Sequence, residues 1–75
     1  MPRRMTYRQI ADDIAARIAT GEYPPESKIP SYSELSQLYS VSIATVQRAL
    51  LVLHAKGVVY GEPGRGVYVK EHDDS

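Results

Sequence analysis

The sequence predicts an α+β fold of three helices followed by a two-stranded β-hairpin, and three observations carry that expectation. Apolar residues recur at helical spacing in three segments, each preceded by a hydroxyl residue suited to cap it. A proline-rich stretch, EYPPESKIP, separates the first segment from the second. After Gly57 the pattern shifts to valine and tyrosine around a glycine-rich turn, VVYGEPGRGVYV, the composition of short strands.

Each element has a local cause. Tyr7, Ile10, Ala11, Ile14, Ala15 and Ile18 form one stripe on a helix, with Arg8, Asp12, Asp13 and Arg17 opposite. Thr6 and Gln9 make a capping box at its start, and Gly21 stops it. Pro24, Pro25 and Pro30 then leave room for a turn and a short extended piece at Lys28 and Ile29. Ser31 with Glu34 repeats the capping box, and Leu35 with Leu38 offers a small apolar face for a second helix running to about Tyr39. Ser40 and Val41 form a tight connection. Ser42 caps a third helix carrying Val46, Ala49, Leu50 and Leu53, which ends at Lys56 before Gly57. Two strands follow, joined by a loop containing Gly61, Pro63, Gly64 and Gly66; a lone hairpin is not stable, so its apolar side must pack on the helices. One domain is expected over residues 6–70, between a basic N-terminal arm (1–5) and a disordered acidic tail (71–75).

Seventy-five residues support one modest core, since a chain of this size buries only about 60 to 65% of its unfolded surface. A large catalytic cleft is not expected. Cysteine is absent, which excludes disulfides and thiolate metal sites and fits a reducing compartment. No apolar run approaches the ~20 residues of a membrane span, and MPRRMTYRQ lacks a secretory apolar segment, so a soluble, cytoplasmic and nucleoid-associated protein with no membrane partner is expected. Formal net charge is zero, but Glu71, Asp73 and Asp74 sit in the tail, leaving residues 1–70 with nine bases against six acids. Arg3, Arg4 and Arg8 cluster at the start; Arg65 and Lys70 lie near the end.

Catalysis has little to build on. His54 and His72 fall on a helix and in the tail without a nucleophile or carboxylate arranged around them. Asp12 and Asp13 diverge by about 100° on a helix, poor geometry for a shared metal or acid/base pair, and Asp13 with Arg17 reads as a surface i,i+4 pair. GEPGRG lacks the Gly-Lys-Ser/Thr of a nucleotide-phosphate loop. The sequence thus predicts no enzyme, no metal and no cofactor.

Helix, short turn and helix in succession point instead to DNA. On the third helix Ala44, Gln47, Arg48 and Leu51 lie broadly opposite the apolar stripe. Small residues at its start, Ser42, Ala44 and Thr45, let a helix N-terminus approach a phosphate or enter a major groove. Thr45 is a candidate phosphate ligand, or bonds back to its own helix.

Several motifs together carry a resemblance. An I-A-x-x-I-x-x-x-I helix, G-x-Y-x-P, I-P-S-x-x-E-L, V-S-x-x-T-V-x-R-A-L and G-x-G-x-Y-V follow one another over residues 7–69. In this the chain resembles the N-terminal winged helix-turn-helix domain of the gluconate-repressor (GntR) family of bacterial transcription factors. The resemblance implies that the third helix enters the major groove of double-stranded DNA and that the hairpin is a wing reaching the adjacent minor groove. The implied contacts are Ser31 and Ser33 at the second helix, Ser42, Ile43, Ala44, Thr45, Gln47 and Arg48 at the third, and Gly64, Arg65 and Gly66 at the wing tip. Arginine there can enter a narrow minor groove.

Departures from the family pattern sharpen the expectation. Arginine is common at the positions of Ser33, Ile43 and Gln47; all three lack it here. Glutamine can pair with adenine and an aliphatic group can pack on a thymine methyl, which implies a half-site richer in A·T. Ile43 has two other roles open, folding beside Leu50 or contacting a protein. Ser40 stands where glycine is usual, so the turn is either retained with strain or reshaped.

Family members usually continue into an effector-binding, dimerising domain. The chain is expected to be an excised domain or a free-standing regulator, its polar ending favouring the second, with no effector site within it. A monomer pairing as a homodimer on a repeated DNA site is expected, with Tyr32, Tyr39, Leu51 and Val52 as candidate contacts. Repression at an operator leads; a DNA-architectural or recombination-directing factor, and a protein-interaction winged helix without DNA binding, are the alternatives.

Overall fold

Local capping chemistry sets the helix starts. In the computed structural model, which describes residues 5–71, Thr6 Oγ1 accepts from the Gln9 amide at 3.2 Å while Gln9 Oε1 accepts from the Thr6 amide at 2.9 Å, opening α1 (Tyr7–Ala19). Ser31 and Glu34 do the same for α2 (Tyr32–Tyr39), and the Ser42 hydroxyl caps α3 (Ile43–Lys56) through the Thr45 amide. The arm and tail expectations fall largely outside the described residues, with Arg3, Arg4, His72, Asp73 and Asp74. Of the two ends, Met5 packs against the core and the Glu71 amide donates to a Glu26 carboxylate oxygen at 3.1 Å.

Two helices end in the same way with different residues. After α3, Gly57 is left-handed (φ 73°), its amide bonds the His54 carbonyl and the Val58 amide bonds the Leu53 carbonyl. After α2, Ser40 takes the same position at φ 55°, with Ser40 to Gln37 and Val41 to Ser36 closing the same pair of bonds. The turn is therefore retained with strain. Ser36 Oγ braces it by donating to the Val41 carbonyl at 2.7 Å.

This turn sets α2 and α3 at 107° to each other, within the range of a helix-turn-helix. The core between the helices holds Ile10, Ala11 and Ile14 from α1, Leu35 from α2 and Val46, Ala49, Leu50 and Leu53 from α3. Leu38 corrects the expectation for α2: it is 53% exposed. The inward stripe of that helix is instead Tyr32, Leu35 and Tyr39, which repeats at three and four residues and leaves Leu38 on the outside. Tyr39 reaches across to α1, donating to Asp13 Oδ2 at 2.6 Å, and Arg17 Nε holds the same oxygen at 3.0 Å.

The hairpin consists of β1 (Val59–Glu62) and β2 (Gly66–Val69), antiparallel with Val59 opposite Val69 and Glu62 opposite Gly66. Gly61 and Gly66 are thus strand residues rather than loop residues, and only Pro63, Gly64 and Arg65 cross the tip. Val59 and Val69 are buried against the helices, and Tyr60 stacks on Tyr68 at 5.8 Å between ring centroids. The extended piece at Lys28 and Ile29 runs beside β2 as a single bridge, Lys28 to Tyr68, supported by the Ile29 amide on the Val67 carbonyl, the Glu26 amide on the Val69 carbonyl and the Val69 amide on the Ser27 carbonyl.

A tight turn delivers that piece to the sheet. The Ser27 amide bonds the Pro24 carbonyl, with Pro25 and a left-handed Glu26 (φ 66°) between, the pattern of a type II turn in which glycine is usual. Glu26 offsets its strain with its side chain: one carboxylate oxygen accepts from Tyr60 Oη at 2.9 Å and the other from the Glu71 amide. That carboxylate raises the Tyr60 hydroxyl pKa by hydrogen bonding its un-ionised form.

Candidate nucleic-acid interface

An open cleft of about 870 Å³ lies between the start of α2, the start of α3 and the hairpin. Ser31, Ser33, Ile43, Gly64, Arg65 and Gly66 all line it, so this part of the expected set is brought to one place. Ser31 is occupied as a cap, and its partner Glu34 has its carboxyl held below the usual range, first by the Ser31 amide and then by the hydroxyl. Ser33 and Arg65 are exposed.

Ile43 does not fold down beside Leu50. It is 46% exposed and forms part of the cleft wall, because a first-turn residue of α3 stands beyond the reach of the core. Thr45, half-buried, lies with Oγ1 3.1 Å from Ser42 Oγ, so its hydroxyl meets the cap rather than a carbonyl of its own helix. Ala44 and Gln47 are exposed.

Arg48 stands apart. Five residues along α3 from Ile43 it points about 140° away, into a second, smaller groove shared with Tyr7, Leu51, Val52 and Ala55. The expected site therefore divides between two faces flanking the outer side of α3.

Three side chains stand out among the cleft residues that the sequence does not point to. Tyr32 contributes an aromatic wall, His54 sits beneath β1 with its ring 3.8 Å from where a Cβ on Gly61 would stand, and Lys28 lies along the wing. Nothing local marks them, since each is placed by a contact between elements distant in sequence. Among the candidate contacts between copies, Tyr32, Tyr39 and Val52 are half-buried against the core, whereas Leu51 is 67% exposed.

Among the described residues no three His, Cys, Asp or Glu side chains gather as metal ligands, and no single helix is long and apolar enough to cross a membrane.

The family model for "Bacterial regulatory proteins, gntR family" matches residues 6–69. The mannosyl-D-glycerate transport/metabolism system repressor MngR of Escherichia coli is 41% identical over 71 residues, covering 95% of this chain and 30% of that protein. The transcriptional repressor NagR of Bacillus subtilis is 34% identical over 65 residues, covering 87% of this chain and 27% of that protein. The chain thus spans less than a third of the length of these relatives. Among solved structures, the AraR DNA-binding domain in complex with operator ORX1 superimposes with a TM-score of 0.81 at 33% identity, covering 92% of this chain and 81% of that one. YtrA of Sulfolobus acidocaldarius, a GntR-family transcription factor, gives 0.81 at 37% identity, covering 89% and 70%. The three helices, the hairpin beside α3 and the family match agree: the chain is a winged helix-turn-helix domain and belongs to the gntR family of regulatory proteins.

Proposed function

We propose that this chain binds double-stranded DNA sequence-specifically and regulates transcription, as a repressor occupying an operator, with α3 in the major groove and the wing tip in the neighbouring minor groove. The observation that carries it is the cleft: the first turn of α3 lines one open channel together with Gly64 and Arg65 of the hairpin tip and Gly66 at the start of β2. Support comes from the similarity to a domain solved on its operator. Ser42 and, from α3, Ile43, Ala44, Thr45, Gln47 and Arg48 supply the contacts of the recognition helix, Ser31 and Ser33 those at the start of α2, and Gly64, Arg65 and Gly66 those from the wing. No step of this function requires catalysis, a cofactor or a membrane, and its place is the cytoplasm. Pairing of two copies on a repeated site would add affinity through effective concentration.

Selection from a random duplex pool across a salt series tests this. Affinity should fall steeply with salt, with a slope of about 0.9 per phosphate contacted, and Arg65→Ala and Arg48→Ala should each weaken it. The retained half-site should be A·T-rich where Ile43 and Gln47 read it; guanine at both positions would overturn that assignment. One observation favours a protein-binding winged helix instead, the exposed apolar run of Ile43, Ala44 and Leu51 on α3. No duplex retained at ~50 mM salt, where screening is weak, would favour it.

A further inference from the structure

Lys28 belongs to the connection between α1 and α2, where the sequence predicts a turn and a short extended piece, and the fold carries that piece to the wing. Its backbone bridges Tyr68 on β2. Its side chain runs alongside Gly66, with Cε 2.6 Å and Nζ 3.5 Å from where a Cβ on that glycine would stand. The missing side chain at Gly66 thus leaves a notch that the lysine stem fills, and the ammonium emerges beside the wing, in the cleft that Arg65 also lines. Lys28 takes part in no ion pair among the described residues. Of its acidic neighbours, Glu34 has one carboxylate oxygen held by the Ser31 amide and feels the lysine charge as the weakest of the influences on its carboxyl, and Glu62 lies on the cleft rim without an ion pair to Lys28.

The position of the cleft gives this charge a use. If α3 occupies a major groove and the wing the next minor groove, the sugar-phosphate strand that divides those grooves must pass between them. The space between them is the cleft of about 870 Å³, and Lys28 is the lysine that lines it. We propose that Lys28 is a DNA-backbone contact, holding a phosphate of the strand that crosses between α3 and the wing while its stem seats the wing at Gly66. This rests on the DNA-binding function proposed above. A phosphate contact positions the protein and carries no base information, so Lys28 acts on affinity and not on sequence choice.

The test is a salt titration of the selected duplex by fluorescence anisotropy, with the full chain and the variants Lys28→Met, Lys28→Arg and Lys28→Ala. Methionine keeps the stem and removes the charge. Its slope of log affinity against log salt should be shallower than wild type by about 0.9, so that between 50 and 200 mM salt it loses roughly threefold less affinity than wild type does. Its preferred sequence and thermal midpoint should be unchanged, and Lys28→Arg should restore the wild-type slope. Lys28→Ala, which also empties the notch, should share the shallow slope and in addition speed amide exchange along β2. A wild-type slope in both Lys28→Met and Lys28→Ala would overturn the assignment and leave Lys28 a packing residue. Wild type failing to bind duplex at any salt would overturn the function beneath it, and the contact with it.

Discussion

Helix α3 and the wing face the same cleft but are held there by different means. Val46, Ala49, Leu50 and Leu53 fix α3 along its length, and all four are buried. The wing buries only Val59 and Val69, with Val67 partly buried. It is otherwise held by backbone bonds from the 26–29 segment and by individual side chains: the Glu26 carboxylate and the Tyr60–Tyr68 stack toward its base, and Lys28 against Gly66 toward its tip. The helix is thus a fixed element whose surface can change without disturbing its position. The wing is an adjustable one, and residues outside it decide where it lies. The contacts proposed on α3 can be read from that helix alone, whereas the wing shares its side of the cleft with Lys28, from the extended piece beside β2.

The largest effect should come from breaking the fixed side. Leu50→Ala removes a buried side chain that anchors α3, and should cost about 2 to 5 kcal/mol, measured by urea unfolding. A loss below about 1 kcal/mol, the range of surface changes, would mean that α3 is not anchored as described.

Breaking the wing should cost less. At Gly66 the backbone lies at φ 131°, which side-chain-bearing residues rarely adopt, and a new Cβ would also meet Lys28 Cε. The lysine end is flexible and can swing aside, so strain dominates: Gly66→Ala should lose about 1 to 3 kcal/mol. Amide exchange should quicken from Tyr60 to Val69 while α3 stays protected, and equal acceleration in both would erase the distinction.

Acid should act on the helical frame. Hydrogen bonds from the Tyr39 hydroxyl and then from Arg17 hold the Asp13 carboxyl below its ordinary value. A carboxyl depressed in the folded state contributes its full stability above the unfolded value and loses it as pH falls through the folded one. The thermal midpoint should therefore decline below about pH 4, and Asp13→Asn should flatten that decline. Because Asp13 and Arg17 are each about a third exposed, with side-chain exposures of 38% and 33%, the effect is modest and salt-sensitive.

Relieving strain should give the smallest change, and the only gain. Ser40 and Gly57 close their helices with the same bonds, so Ser40→Gly should stabilise by up to about 1 kcal/mol, the backbone relief being partly offset by a more flexible unfolded chain. Differential scanning calorimetry reads it directly, and destabilisation would show that the Ser40 side chain contributes something not seen in its contacts.

What could be read beforehand follows from how far each cause reaches. Thr6 with Gln9, Ser31 with Glu34, and Gly57 were legible because a cap acts over three or four residues. The strain at Ser40 was also legible, because the resemblance says which residue is usual there. Leu38 was misplaced because an apolar residue three positions from Leu35 fits the same face on paper, while two tyrosines in fact claim it. Lys28, His54 and Tyr32 were not legible as cleft residues at all. Their position depends on β1 and β2 folding back, and nothing in EYPPESKIP announces that its lysine fills a notch in a strand some forty residues on. The split of the candidate site follows from the helical wheel, since Ile43 and Arg48 share a helix and face different grooves.

Glu26 has one more consequence, a mechanical one. The chain leaves β2 past Val69, and two bonds come next in line: the Lys70 amide to the Val58 carbonyl and the Glu71 amide to Glu26. A pull on the backbone beyond Glu71 must break both before it can peel Val69 away from Val59. The carboxylate works like the strain relief on a cable, taking up a tug at the exit so that the hairpin does not unzip from its base.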